Sequence, residues 1–135
     1  MNLGNLNWLA LVAAAVSAFA LGALWYGPLF GRAWQALSGL TDDDIKSGHP
    51  ARTYGTAFVL NLVSAFGMSM VIQLHPAPDL ASGLNVGLLI GLAFVATTFG
   101  INYAFAMRPL RLYFIDAGYM VALLAIMGAI IGVWR

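Results

Sequence analysis

The sequence predicts an all-α integral membrane protein with four transmembrane helices in two antiparallel hairpins. Hydrophobic residues make up 61% of the 135 residues and charged residues only 8%, whereas about a quarter of a typical soluble domain is charged. Four apolar stretches are each long enough to cross a hydrocarbon core of about 30 Å, which takes roughly 20 helical residues. The few ionisable side chains lie almost entirely between these stretches. The lipid bilayer is therefore the expected solvent.

The four predicted spans form a single membrane domain with three connections. Their apolar runs are unbroken rather than alternating, which favours helices over a β-barrel. They cover about residues 6–26, 53–74, 84–107 and 112–134. The second and third connections, 75–83 and 108–111, are short and contain proline, which favours helix hairpins. No Lys or Arg precedes the first span, so we expect a permanent helix there and not a cleaved signal peptide.

A short interfacial helix is predicted in the first connection, which runs from 27 to 52. Thr41 is followed three residues later by Asp44, which is the spacing of a capping box, and acidic side chains favour a helix start. The triplet formed with Asp42 and Asp43 is also a candidate for binding a divalent cation. An isolated acidic triplet is more typical of a helix start, so we predict a cap and no metal site.

The positive residues predict the orientation of the spans. Lys and Arg in short loops are retained on the cytoplasmic side of a membrane. Only Arg135 lies on the face of the termini. The face with the first and third connections carries the others: Arg32, Lys46, Arg52, Arg108 and Arg111. Both termini are therefore expected on the outer side. Tryptophan and tyrosine clusters at the expected interfaces agree with this orientation.

Small residues at helical spacing predict close contacts between the spans, because membrane helices associate through backbone approach and interhelical hydrogen bonds. The most prominent are Gly22, Gly83, Gly87, Gly91, Gly128 and Gly132. Such seams fit packing within one bundle, and they equally fit contacts between subunits. Because there are more seams than one four-helix bundle obviously needs, we expect a homo-oligomer.

Polar residues inside the spans are the natural candidates for a functional site, because each costs free energy unless it is paired or hydrated. At about 1.5 Å per residue, four of them fall at similar depths in the cytoplasmic half. They are Asn61, Asn102, Asp116 and Tyr119. We expect them to line a polar cavity. Below it, the turn at Pro28 is expected to lay an aromatic lid along the inner interface, made of Trp25, Tyr26 and Trp34; simple membrane anchoring is the alternative role for this lid.

Asp116 is the only carboxylate predicted within a span, and it has two interpretations. In the first it pairs with an arginine of the inner loops and pins the hairpin geometry. The candidate partners are Arg32, Arg52, Arg108 and Arg111. In the second it binds a cation or a proton in a water-filled vestibule. The shallow depth of Asp116 favours the first.

No catalytic or cofactor site is predicted. The chain has no cysteine, which excludes disulfides, thiol redox chemistry and cysteine-bound iron–sulfur clusters. His49 and His75 are expected on opposite sides of the membrane, so they cannot share a metal or a haem in one subunit. No P-loop or Ser-His-acid set appears. A net charge of +1 without a basic stripe argues against nucleic-acid binding.

Four motifs spread over essentially the whole chain carry a family resemblance. They lie at 22–34, at 38–41, at 101–103 with 108–110, and at 116–119. With these motifs the chain resembles the bacterial family catalogued as domain of unknown function 1761. The resemblance implies a small multi-pass inner-membrane protein and supplies no activity.

Two functions are expected ahead of the rest. The first is an oligomeric carrier or channel for a small solute, which requires a hydrated polar cavity. The second is a non-catalytic accessory or assembly subunit that packs against other membrane proteins through its Gly and Ala seams, and it requires no cavity. A lipid-modifying enzyme comes third, because the sequence offers it no reactive group.

Overall fold

A computed structural model describes residues 3–134, and every regular element in that range is helical. A short 3₁₀ turn at Leu3–Asn5 comes first. The helices are α1 (Trp8–Leu24), α2 (Gly31–Ser38), α3 (Asp42–Ser47), α4 (Pro50–Ile72), α5 (Leu80–Ile90), α6 (Ala96–Phe105) and α7 (Leu110–Val133). A π-helical turn at Trp25–Leu29 follows α1, and another at Gly91–Val95 joins α5 to α6. Arg135, the cation predicted on the outer face, lies outside the described residues.

Four segments in the described range are long and apolar enough to cross a membrane, as predicted. They are Trp8–Leu29, Pro50–Ile72, Leu80–Phe105 and Leu110–Val133. The third begins earlier than the predicted 84 because Asp79 caps it: the Asp79 carboxylate accepts a hydrogen bond from the Ser82 backbone N–H at 2.8 Å. The first extends beyond 26 because the chain continues through a π turn at Pro28 instead of breaking there.

Helix α7 is the centre of the bundle. In the most apolar stretch of 18 residues of each long segment, the buried fraction is 44% for Leu110–Val133 but only 11% for Leu80–Phe105. The main core cluster comes from α1, α4 and α7: Leu11, Ala14, Ala18, Ala65, Met68, Ile72, Leu123, Leu124, Met127 and Ile131. The third segment, Leu80–Phe105, therefore packs on one side of this core and leaves most of its own surface uncovered.

A glycine seam joins α5 to α7. Gly83 lies against Gly128 and Gly132, and Gly87 lies against Leu124 and Ala125. Further along, Gly91 lies against Val121. Rising residue numbers on one helix meet falling numbers on the other, so the two run in opposite directions. These predicted packing glycines make their contacts within one chain, and Gly22 does the same against the Tyr119 side chain.

The predicted capping box at Thr41 is present. The Thr41 hydroxyl accepts from the Asp44 N–H at 3.1 Å, and the Asp44 carboxylate accepts from the Thr41 N–H at 2.9 Å. The first connection also contains α2, which was not predicted. It ends at Gly39, whose φ of 71° is the left-handed conformation typical of a helix C-terminus. In the described part of the chain, no group of three acidic or histidine side chains is placed to hold a metal ion.

The cap on α3 is expected to make this helix sensitive to acid. Two hydrogen bonds lower the pKa of the Asp44 carboxyl. The larger effect comes from the backbone of Thr41 and the smaller one from the Thr41 side chain. A group with a lowered folded-state pKa stabilises the helix above its unfolded pKa, and this contribution is lost as pH falls through the folded value. NMR secondary shifts of α3 should therefore show helix loss as pH drops from about 5 toward the depressed pKa. The same helix in Asp44→Asn should show little change; an equal change in both proteins would contradict the assignment.

Candidate functional site

Asp116, on the second turn of α7, is held by two tyrosine hydroxyls. Tyr26 donates a hydrogen bond to Oδ1 at 2.6 Å, and Tyr103 donates one to Oδ2. An ionised carboxylate is an acceptor only, so two donors on its two oxygens match the charged form. We call these three residues the Asp116 clasp. The clasp joins the first, third and fourth apolar segments at one point.

Tyr26 reaches α7 because the chain forms a π turn at the end of α1. Pro28 has no backbone N–H to continue the α-helical pattern, and the Phe30 N–H donates instead to the Trp25 carbonyl, five residues back, at 2.8 Å. A Cβ at Gly31 would lie 3.1 Å from the Tyr26 carbonyl carbon and closer still to its oxygen, so glycine fits there. Isolated π turns of this kind are frequent at functional sites.

The neighbouring aromatic side chains are also bonded to helix backbone. The Trp25 indole N–H donates to the Ile115 carbonyl at 2.9 Å, and the Tyr119 hydroxyl donates to the Ala18 carbonyl at 2.8 Å. The Tyr26 and Tyr119 rings meet edge to face, with centroids 5.2 Å apart. Tyr119 therefore ties α1 to α7 instead of facing a cavity.

The predicted aromatic lid exists as a group, but it packs against the clasp. Trp34, on α2, meets the Tyr26 ring edge to face at 5.5 Å. Trp25 and Tyr26 both bond to α7. The three side chains thus cover the α1–α7 contact at the end where Asp116 lies.

The partners of Asp116 are tyrosines and not arginines. In residues 3–134 none of the four predicted arginines, Arg32, Arg52, Arg108 and Arg111, forms an ion pair with it. Arg108 instead places its guanidinium carbon 5.0 Å from the centre of the Tyr103 ring, a cation–π distance. Asp116 lies six residues into α7 from Leu110, about 9 Å along the helix at 1.5 Å per residue. The arginines stay at the exposed end, and only Arg108 reaches the clasp, through a tyrosine ring.

The four residues predicted to line a cavity do not meet. Asn102 is exposed, and Asn61 is half-buried on α4 with no described hydrogen bond to the other three. The reason lies in the π turn at Gly91–Val95, which adds one residue and shifts the helical phase of α6. Gly100 and Tyr103 therefore take the positions facing α7, and Asn102 turns away. Tyr103 is the site residue that the sequence reasoning missed.

Tyr113 makes a second link across the same pair of helices. Its hydroxyl donates to the Ala96 carbonyl at 2.7 Å, and its ring lies against Gly100. The Tyr103 and Tyr113 ring centroids are 5.9 Å apart. The carbonyl of Ala96 lies just after the π turn, so the Tyr113 hydroxyl fixes α7 to the start of α6.

Comparison with known proteins identifies a family. A family model described as a protein of unknown function, DUF1761, matches residues 9–132. No curated protein and no solved structure matches the chain. The matched range contains all three residues of the Asp116 clasp and both π turns.

Proposed function

The chain belongs to the DUF1761 family of unknown function, and we propose from its own contacts that it is a non-catalytic accessory subunit of a membrane assembly. In this proposal it crosses the bacterial inner membrane four times, with both termini outside. It binds a partner membrane protein through the uncovered face of its third segment, Leu80–Phe105. The Asp116 clasp keeps the bundle rigid while that face is occupied.

The clasp supports a scaffold more than a carrier. A carrier needs polar groups that are free to bind a solute in a hydrated cavity. Here the hydroxyls of Tyr26 and Tyr103 are engaged by Asp116, and those of Tyr113 and Tyr119 by helix carbonyls. These contacts fix helices to one another. The Asp116 carboxylate accepts hydrogen bonds from two tyrosine hydroxyls of the protein and not from a solute.

The observation that carries the proposal is a pair of exposed amides on the third segment. Asn85 and Asn102 are both exposed, and neither side chain has a hydrogen bond among the described residues. The neighbouring hydroxyls of Thr97 and Thr98 bond to backbone carbonyls of their own helix. An unpartnered amide in hydrocarbon is costly, and an interhelical bond from such a side chain contributes about 0.6 to 2 kcal/mol. The two amides lie 17 residues apart, about 25 Å along a helix, so each needs its own polar group on a partner helix.

The surface between the two amides suits a helix. Leu89, Leu92 and Phe94 are 60%, 58% and 62% exposed. In such a contact the large apolar side chains provide the packing, and hydrogen bonds from the amides orient the partner helix. A second copy of this chain is one candidate for the partner, and a different membrane protein is the other. The mass of a crosslinked product distinguishes them.

Photocrosslinking in native membranes tests this surface. Leu89→p-benzoylphenylalanine is expected to give a discrete protein adduct, because position 89 lies in the proposed contact. Val16, on α1 and 53% exposed, is the matched control for a lipid-facing position. Adding Asn85→Leu and Asn102→Leu to the position-89 variant should weaken the adduct. Equal yields at 89 and 16, or crosslinks to lipid alone at both, would reject the partner surface.

A further inference from the structure

A cavity lies at the end of the bundle opposite the Asp116 clasp. It is formed where the N-terminal turn, the connection between α4 and α5, and the end of α7 come together, and its volume is about 290 Å³. Ligand sites in proteins begin at about 300 Å³, so this space suits a small molecule. None of the polar residues predicted to form a site contributes to it.

Its polar groups come from several elements. Ser69 on α4 is only 6% exposed and lines the cavity, as does the amide residue Gln73 at the end of the same helix. Asn5 and Asn7 lie on the wall formed by the N-terminal turn; Asn7 also accepts from the Ala10 N–H at 3.1 Å, which fixes its side chain. His75 accepts from the Ala77 N–H at 3.3 Å through Nδ1, so the neutral ring carries its proton on Nε2 and offers a donor.

The remaining walls are apolar, and the described lining contains no charged side chain. The space beside Ser69 is lined by Leu11, Ile72, Ile131 and Trp134. A bare ion would lose its hydration without gaining an opposite charge. An apolar molecule with one hydroxyl or carbonyl group matches both parts of the lining.

We infer that this cavity binds a small uncharged molecule that has an apolar body and a hydroxyl or carbonyl group. The ligand would touch α1, α4 and α7 at once, and these are the three helices of the main core cluster. A ligand that binds only the folded bundle stabilises it, and the stabilisation grows with the logarithm of the ligand concentration once that exceeds Kd. This site goes beyond the accessory role, because it lies at the opposite end from the clasp and does not use the exposed amides of the third segment.

The absence of cysteine makes Ser69→Cys a direct probe. Unsealed membrane fragments let reagents reach both faces. We expect methyl methanethiosulfonate, which is uncharged, to modify position 69. The positively charged trimethylammonium-ethyl and the negatively charged sulfonato-ethyl methanethiosulfonates should react there at least about tenfold more slowly. Each rate is first divided by the rate of the same reagent at Ala77→Cys. Ala77 is exposed in the nearby connection and reports the reactivity of an open thiol.

Protection then tests binding itself. Benzyl alcohol, benzoate and benzylammonium share one ring and differ in charge, and only benzyl alcohol should slow modification of position 69 in a saturable way. Ser64→Cys, exposed on the same helix, controls for effects through the lipid and should show no such slowing. Three results would each overturn the inference: equal normalised rates for all three reagents, no reaction before denaturation, or no protection by benzyl alcohol.

Discussion

Gly87→Val is expected to separate the third segment from α7 and to cost about 3 kcal/mol or more, at or above the upper end of overpacking penalties. A Cβ at this position would lie 2.9 Å from the Ala125 Cα and closer still to the Leu124 carbonyl oxygen. Both are backbone atoms of α7, which cannot rotate aside as a side chain can. Only a displacement of the whole helix would relieve the overlap.

Gly67→Val provides the matched control. Gly67 is also a glycine in the middle of an apolar helix, but nothing lies within 4 Å of a Cβ built on it. Unfolding of the purified protein by SDS in mild detergent micelles measures the difference. We expect the control to unfold at nearly the wild-type SDS fraction and Gly87→Val to unfold much earlier. Similar unfolding of the two variants would show that the seam is not a close contact.

The seam was predictable because it depends on residue type and on a regular period. Gly83, Gly87 and Gly91 repeat every four residues, a spacing that places them on one face of a helix. Hydropathy likewise located the four long helices, and the Thr41 capping box followed from two side chains three residues apart. Each of these features is local, and each was visible without knowing which helices are neighbours.

The partners of Asp116 were not predictable in the same way. The depth estimate placed Asp116 near Asn102, but depth does not specify which side of a helix a residue occupies. The π turn at Gly91–Val95 rotates everything after it by about one residue, which exchanges Asn102 for Tyr103 on the α7 face. Proline and glycine around position 28 indicated a turn, and its π geometry directs Tyr26 to the same carboxylate.

Combined Tyr26→Phe and Tyr103→Phe is expected to destabilise the bundle by about 3 kcal/mol or more, because each of the two lost hydrogen bonds to a charged group contributes about 1.5–3 kcal/mol. The two changes remove both donors and leave a half-buried carboxylate with none. Tyr54→Phe is the matched control, since the Tyr54 side chain is 63% exposed. The SDS unfolding midpoint in mild detergent is the measurement, and we expect the control to match the wild type.

Adding Asp116→Leu to the double variant separates two explanations of that loss. If the tyrosine hydroxyls stabilise the bundle by bonding to Asp116, the unpaired carboxylate is what destabilises the double variant. Replacing that carboxylate with an apolar side chain should then restore most of the lost stability. If the tyrosines matter only for ring packing, the rings remain in the Phe variants and there is little loss to restore. A large loss that Asp116→Leu fails to rescue would show that the hydroxyls act through some other group, and the clasp would not be what joins the three segments.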